Sequence, residues 1–284
     1  MAKTDVQIEI DRPAGPYYAG DMVRATITLE NEKELTVRGA GAYLIMAEQY
    51  KYRHKSTKGH TYTHTRTDEI VHDSTNLERE GTIPAGLHSY SAELRLPAEV
   101  IPPFPGEITN NHWIIKAKFD CPKAFDPEAE LEVPVIVPPP GLKAQADEHG
   151  QERSEEVDLR LWLPRLEWVE GEELEGAVLV RPQASFGVTE IRVELLLTEY
   201  VPASAGNTRT HSQGKATVAG KVDFTPGEDG EYAFTLPIPK EGKPTRTTEH
   251  STTTWTLKAT LARKLRRDTE IMVDIEVYNG PGRH

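Results

Sequence analysis

HWIIKAKF, residues His112–Phe119, and TWTLKATL, residues Thr254–Leu261, are the stretches that decide how this chain is read. In each, alternate residues are apolar: Trp113, Ile115, Ala117 and Phe119 in the first, Trp255, Leu257, Ala259 and Leu261 in the second. Among the positions between them are Lys116, Lys118, Thr256 and Lys258. A period of two is the pattern of a strand with one face on a core and the other in water. The two stretches match position for position at an offset of 142 residues, which also pairs Pro84 with Pro226, Tyr90 with Tyr232, Leu94 with Leu236 and Asp126 with Asp268. Nearer the start the offset is 151, pairing Val6, Ile8 and Ile10 with Val157, Leu159 and Leu161, and Gly20 with Gly171. The change of offset falls in a single hairpin, where a difference in loop length costs little. The chain reads as one fold written twice, at a period far too long for a solenoid.

The 284 residues divide on this reading into an N-terminal sandwich at 1–138, a linker at 139–155 and a C-terminal sandwich at 156–284. Each copy, at roughly 130 residues, is long enough to bury its own core. No long stretch carries a 3.6-residue period, and Pro, Gly, Asn and Asp punctuate short alternating runs, so the expected class is all-β: two tandem immunoglobulin-like antiparallel β-sandwiches. The linker, within PPPGLKAQADEHGQERSEE (Pro138–Glu156), is stiff at its prolines and otherwise polar. No apolar run resembles a signal peptide or a membrane span, and a cytoplasmic location is expected. The single cysteine, Cys121, excludes an intramolecular disulfide or a cysteine zinc cluster. A formal charge of −12 argues against nucleic acid as a partner.

The run IEIDRPAGPYYAGDMVRATITL (Ile8–Leu29), with Tyr17, Gly20, Asp21 and Val23 in a Tyr-x-x-Gly-Asp-x-Val spacing, resembles the arrestin-like family. So do ELTVRGAGAYLIMAE (Glu34–Glu48), the segment Leu94–Pro122, and LEWVEGEELEGAVLV (Leu166–Val180) with TWTLKATL in the second copy. The chain looks closer to bacterial arrestin-like proteins of the sporulation-control class, and distantly to the retromer subunit of this fold, than to visual arrestins. The segment Asp68–Gly81 lacks a leucine-rich amphipathic helix, there is no Pro-Pro-x-Tyr motif, and the chain ends at His284 without a long tail. The resemblance implies two domains across a short linker and scaffold or adaptor behaviour.

No Gly-x-Ser-x-Gly elbow, P-loop, GxGxxG or HExxH motif is present, so neither an enzyme nor a cofactor is expected. The binding candidate is the hairpin loop Gln49–Thr67 (QYKYRHKSTKGHTYTHTRT), which has no acidic residue and carries Lys51, Arg53, Lys55, Lys58 and Arg66. By the resemblance it falls where the family has its partner-contacting finger loop. The equivalent loop of the second copy, Val201–Val222, also lacks acids and carries Arg209, Lys215 and Lys221. Such positive tips on an acidic chain attract an acidic or phosphorylated protein segment, or an anionic membrane surface. His54, His60 and His64 lie in the same hairpin, with His60 and His64 on one strand face, His54 across a turn at Ser56–Gly59, and a pH-sensitive charge as the result. Arg263, Lys264, Arg266 and Arg267 form a third basic group, against Lys123 alone at the matching turn, and Phe104 in a proline-rich apolar loop either plugs a core or meets a partner. The expected function is a non-enzymatic adaptor that binds protein through sheet edges, concave faces and the residues Lys51, Arg53, His54, Lys55, Lys58, His60, Arg66, Arg209 and Lys215. The rival readings are self-assembly through exposed sheet edges into a homo-oligomer, and a metal- or ligand-binding module at the histidines.

Overall fold

A computed structural model describes residues 3–122, 125–140 and 147–280. Lys123, residues 141–146 of the expected linker and the last four residues of the chain lie outside them. The first half supplies β1 (Thr4–Ile10), β2 (Met22–Asn31), β3 (Leu35–Val37), β4 (Gly39–Lys55), β5 (Thr61–Glu78), β6 (Gly81–Ile83), β7 (Gly86–Arg95), β8 (Phe104–Pro105), β9 (Thr109–Asp120) and β10 (Glu128–Glu132). The second supplies β11 (Asp147–Arg153), β12 (Val157–Leu163), β13 (Glu167–Val169), β14 (Glu173–Pro182), β15 (Phe186–Val188), β16 (Glu190–Val201), β17 (Asn207–Ala219), β18 (Val222–Phe224), β19 (Gly230–Pro237), β20 (Arg246–Thr247), β21 (Thr252–Ala262) and β22 (Thr269–Tyr278). No helix occurs among the described residues, so none is long and apolar enough to cross a membrane. The class is all-β, as the alternation predicts.

The chain separates into two compact units. One holds Met1–Lys51, Thr65–Pro105 and Thr109–Val137; the other holds Tyr52–His64, Gly106–Ile108 and Pro138–His284. In the first unit the sheets run β1-β2-β7 and β10-β9-β4-β5, with β8 paired to β9. Their inner faces supply one core: Val23, Ala25, Ile27 and Leu29 of β2, Ala42, Leu44 and Met46 of β4, and Trp113, Ile115, Ala117 and Phe119 of β9. Leu44 lies opposite Ile115 and Ala42 opposite Ala117, which holds the apolar rows in register. In the second unit the orders are β11-β12-β14-β19 and β13-β22-β21-β16-β17. Trp255, Leu257, Ala259 and Leu261 are buried there, as are Leu159, Leu161, Leu195 and Leu197. Each large side chain taken from water contributes about 1.5–3 kcal/mol.

Details recur in the two units. Trp113 donates its indole N–H to the Ile101 carbonyl at 2.9 Å, and Trp255 donates to the Lys243 carbonyl at 2.8 Å, so both matched tryptophans fill a core and pin a loop. Asp126 accepts the Cys121 backbone N–H at 2.8 Å, and Asp268 accepts that of Arg263 at 2.9 Å, closing the same turn. At the entry to β2, Arg12 lies 4.0 Å over the Tyr17 ring and donates to Asp21 at 3.0 Å, while Asp21 accepts the Tyr18 N–H at 3.1 Å. At the entry to β14, Arg165 lies 4.1 Å over the Trp168 ring and donates to Glu172 at 2.8 Å, while Glu172 accepts the Val169 N–H at 2.8 Å. The Tyr-x-x-Gly-Asp spacing thus builds a cation–aromatic–carboxylate clasp.

Three expectations need correction or completion. Part of the expected linker, Asp147–Arg153, is strand β11, paired antiparallel to β12. The physical reason lies in the neighbour: β12 offers an unpaired edge and a nearly buried carboxylate, Asp158, whose side chain is 3% exposed. Asp158 accepts hydrogen bonds from Gln151 at 2.8 Å, Arg153 at 3.0 Å and Arg160 at 2.9 Å. The Arg160 guanidinium holds its carboxyl far below the usual carboxylate range. Glu148 of β11 extends the network to Arg160 and to Arg181, the latter at 2.7 Å. Second, the two loops expected at Gln49–Thr67 and Val201–Val222 are largely strand, in β4, β5 and β17. Third, Phe104 is fully buried, within the short strand β8. Cys121 is also buried, and burial pushes its thiol up, so it stays protonated.

Candidate partner-binding hairpin

β4 and β5 run past the first unit's core because Thr, Tyr and His side chains favour extended backbone, and a tight turn reverses them. The Ser56 N–H donates to the His60 carbonyl at 2.8 Å and the Gly59 N–H to the Ser56 carbonyl at 2.9 Å. Gly59 has φ +84°, which a residue bearing a Cβ adopts only with strain. The turn therefore stands at the expected residues. It presents Arg53, Lys55 and Lys58 to solvent, and none of the three makes an ion pair among the described residues. Arg66 is exposed but lies 2.8 Å from Asp68, and Asp68 also accepts the Tyr50 hydroxyl at 3.0 Å. Lys51 is exposed at the base of the hairpin.

The hairpin tip, Tyr52–His64, belongs to the second unit. Arg53 forms a β-bridge with Ser204, and its carbonyl accepts the Ala205 N–H at 3.0 Å. Ser204 has φ +60°, so the loop before β17 is bent in a left-handed conformation where it meets the tip. That loop leads into Arg209 and Lys215, both exposed on β17. Of these two, Arg209 is paired with Glu107 at 3.3 Å, and His211 lies 3.7 Å from the same carboxylate. Glu107 is itself fixed: the N–H groups of Glu107 and Ile108 donate to the buried Glu199 at 3.0 and 2.8 Å. Glu107 and Glu199 escape notice in the sequence. Their one signal is the match of Glu199 with Glu48 at the 151-residue offset, and Glu48 is buried as well.

The histidines group differently from the expected pattern. His64 stacks on Tyr52, with ring centroids 5.6 Å apart, and meets His54 edge to face at 6.3 Å. His54 also lies 3.5 Å from the Ser204 hydroxyl through Nδ1. His60 joins neither ring. Among the described residues no group of three or more His, Cys, Asp or Glu side chains is arranged to hold a metal ion. The pair His54 and His64 falls short of the three or four protein ligands of a zinc centre.

Arg263 and Arg266 of the third basic group have a structural task. Arg263 is 6% exposed, lies 4.5 Å over the Phe186 ring and is ion-paired with Glu156, whose carboxyl it holds below the usual range. Arg266 reaches the same Glu156 at 3.0 Å. Replacing Arg263 with Ala is expected to cost the second unit about 1–2 kcal/mol, read as a lower thermal midpoint, with no change in partner binding.

Residues 6–139 match the model of the arrestin (or S-antigen) N-terminal domain. Over these residues the fold is arrestin-like. A search of curated proteins finds no significant match. An arrestin-like fold supports a scaffold or adaptor role in general, and the hairpin lies inside the matched residues.

Proposed function

We propose that this arrestin-like chain is a non-enzymatic cytoplasmic adaptor that docks an acidic or phosphorylated segment of a partner protein on the hairpin around Ser56–Gly59. The observation that carries this reading is the tip itself: Arg53, Lys55 and Lys58 are solvent-facing and make no ion pair among the described residues, without an acidic residue between Gln49 and Thr67. On a chain of net charge −12, such a patch selects anions at short range, and salt weakens the contact. The seating of Arg53 against Ser204 and Ala205 supports the reading further, because a held tip loses less conformational freedom on binding. Lys215 adds a second exposed cation on β17. Arg66 and Arg209 contribute less, since Asp68 and Glu107 already neutralise them.

Reversing Lys51, Arg53, Lys55 and Lys58 to Glu tests the reading. Affinity for a multiply phosphorylated peptide, measured by fluorescence anisotropy at low salt, is expected to fall at least about tenfold, from several exposed contacts worth about 0.2–1 kcal/mol each. Partners recovered by affinity purification are expected to be lost with the same variant. Undiminished binding of both would remove the hairpin from the function.

A further inference from the structure

β5 is an 18-residue strand at the end of the order β10-β9-β4-β5, so one edge has no hydrogen-bonded strand beside it among the described residues. Proteins commonly guard such an edge with Pro, Lys, a bulge or brevity. Two other edges are guarded. β10 is only five residues long, and β11 is bulged between His149 and Gln151. β5 contains no Pro, Gly or Lys, and its charged residues Arg66, Asp68, Glu69, Asp73 and Glu78 flank the apolar pair Ile70–Val71. Every residue of Thr61–Thr67 and of Glu69–His72 is exposed, with Val71 at 54% and Ile70 at 37%. A long, exposed edge with an apolar pair at its centre can recruit another strand.

The strand's own charge pattern says which strand. Thr61–Thr67 contains His64 and Arg66 and no acid, whereas Asp68–Glu78 contains Asp68, Glu69, Asp73 and Glu78. Laid antiparallel on a second copy, the basic half of each strand covers the acidic half of the other; laid parallel, like meets like. A two-fold axis normal to the sheet keeps each residue on its own face, so only registers centred on a residue are open. Centring on Glu69 sets Glu69 against Glu69, and centring on Val71 sets Glu69 against Asp73. Both juxtapose like charges and are destabilised. Centring on Ile70 sets Ile70 against Ile70, Glu69 against Val71 and Asp68 against His72, with no like charges opposed. Centring on Thr67 also opposes no like charges but sets Ile70 against His64, so the Ile70 register is the one that also buries the apolar residue against its own copy.

We propose that two copies of this chain pair through β5, antiparallel about a two-fold axis at Ile70, joining their five-stranded sheets into one. The buried strip is a single strand wide, so the dimer belongs to the weak, concentration-dependent class.

Sedimentation velocity on the full chain, across roughly 5 to 500 µM to suit an interface of that class, is expected to show a monomer–dimer equilibrium. Ile70→Lys sets lysine against lysine and is expected to raise the dissociation constant at least tenfold, whereas Ile70→Val preserves the dimer. An unchanged melting curve for Ile70→Lys separates lost pairing from lost folding. Ile70→Cys is expected to give a dimer that reducing agent dissolves, over a silent background because Cys121 is buried. A monomer at every concentration, or a dimer indifferent to Ile70→Lys and uncrosslinked by Ile70→Cys, overturns the proposal. So does an unrelated strand peptide binding the edge of a chain that never dimerises, since the edge would then serve a different partner.

Discussion

Asp158→Asn is expected to destabilise the second unit by about 3 kcal/mol, the scale for breaking a buried charge pair by removing one partner. The carboxylate is 97% enclosed on the 3% exposure of its side chain and accepts from Gln151, Arg153 and Arg160. The amide cannot offer two charged acceptor oxygens to two guanidinium groups, and its N–H₂ points a donor at donors. Because the folded carboxyl is held below its unfolded value by Arg160, its contribution is complete above the unfolded pKa of about 3.9 and is lost as pH falls below it toward the folded value. Denaturant titrations should therefore show a wide gap between wild type and variant at pH 7 that narrows progressively below about pH 4. A gap that stays constant down to pH 2 would show that packing, and not charge, sets the effect.

Gly150→Val is expected to release β11. Gly150 has φ +70°, and a Cβ there would lie 2.9 Å from Cγ2 of Val273 and 3.2 Å from Cδ1 of Ile271. Val273 and Ile271 are buried in β22, so they have little room to yield. A β-branched residue in the left-handed region costs about 1–2 kcal/mol, and overpacking adds about 1–3 kcal/mol. Hydrogen exchange should speed up through Asp147–Arg153 and along the β12 residues facing it, while the first unit's core strands keep their protection. Were β11 to remain as protected as in wild type, its seating on β22 would be ruled out as the source of its order.

The strand rows were readable from the residues alone because alternation reports burial directly. Trp113 and Trp255 are inward, and Asp126 and Asp268 cap equivalent turns, as their matched positions imply. β11 was not readable: DEHGQER has no apolar alternation, and its strand form depends on an edge, an ion network and a close approach that other segments supply. The candidate hairpin divides in the same way. Its turn and the exposure of Lys55 and Lys58 follow from local composition. The pairing of Arg209 with Glu107 joins residues 102 positions apart, and local sequence holds no trace of it. The His54–His64 contact likewise depends on how the two hairpin arms align.

The clasp at the entries to β2 and β14 has a consequence for how such chains change. Tyr17 is replaced by Trp168 and Asp21 by Glu172, and the arginine arrives from a different place: Arg12 aligns with Leu163, while Arg165 aligns with Ala14. The same three-part joint is assembled from non-corresponding letters. The joint depends more on what touches than on what is spelled, and a grafted arginine at position 14 should be able to take over from Arg12.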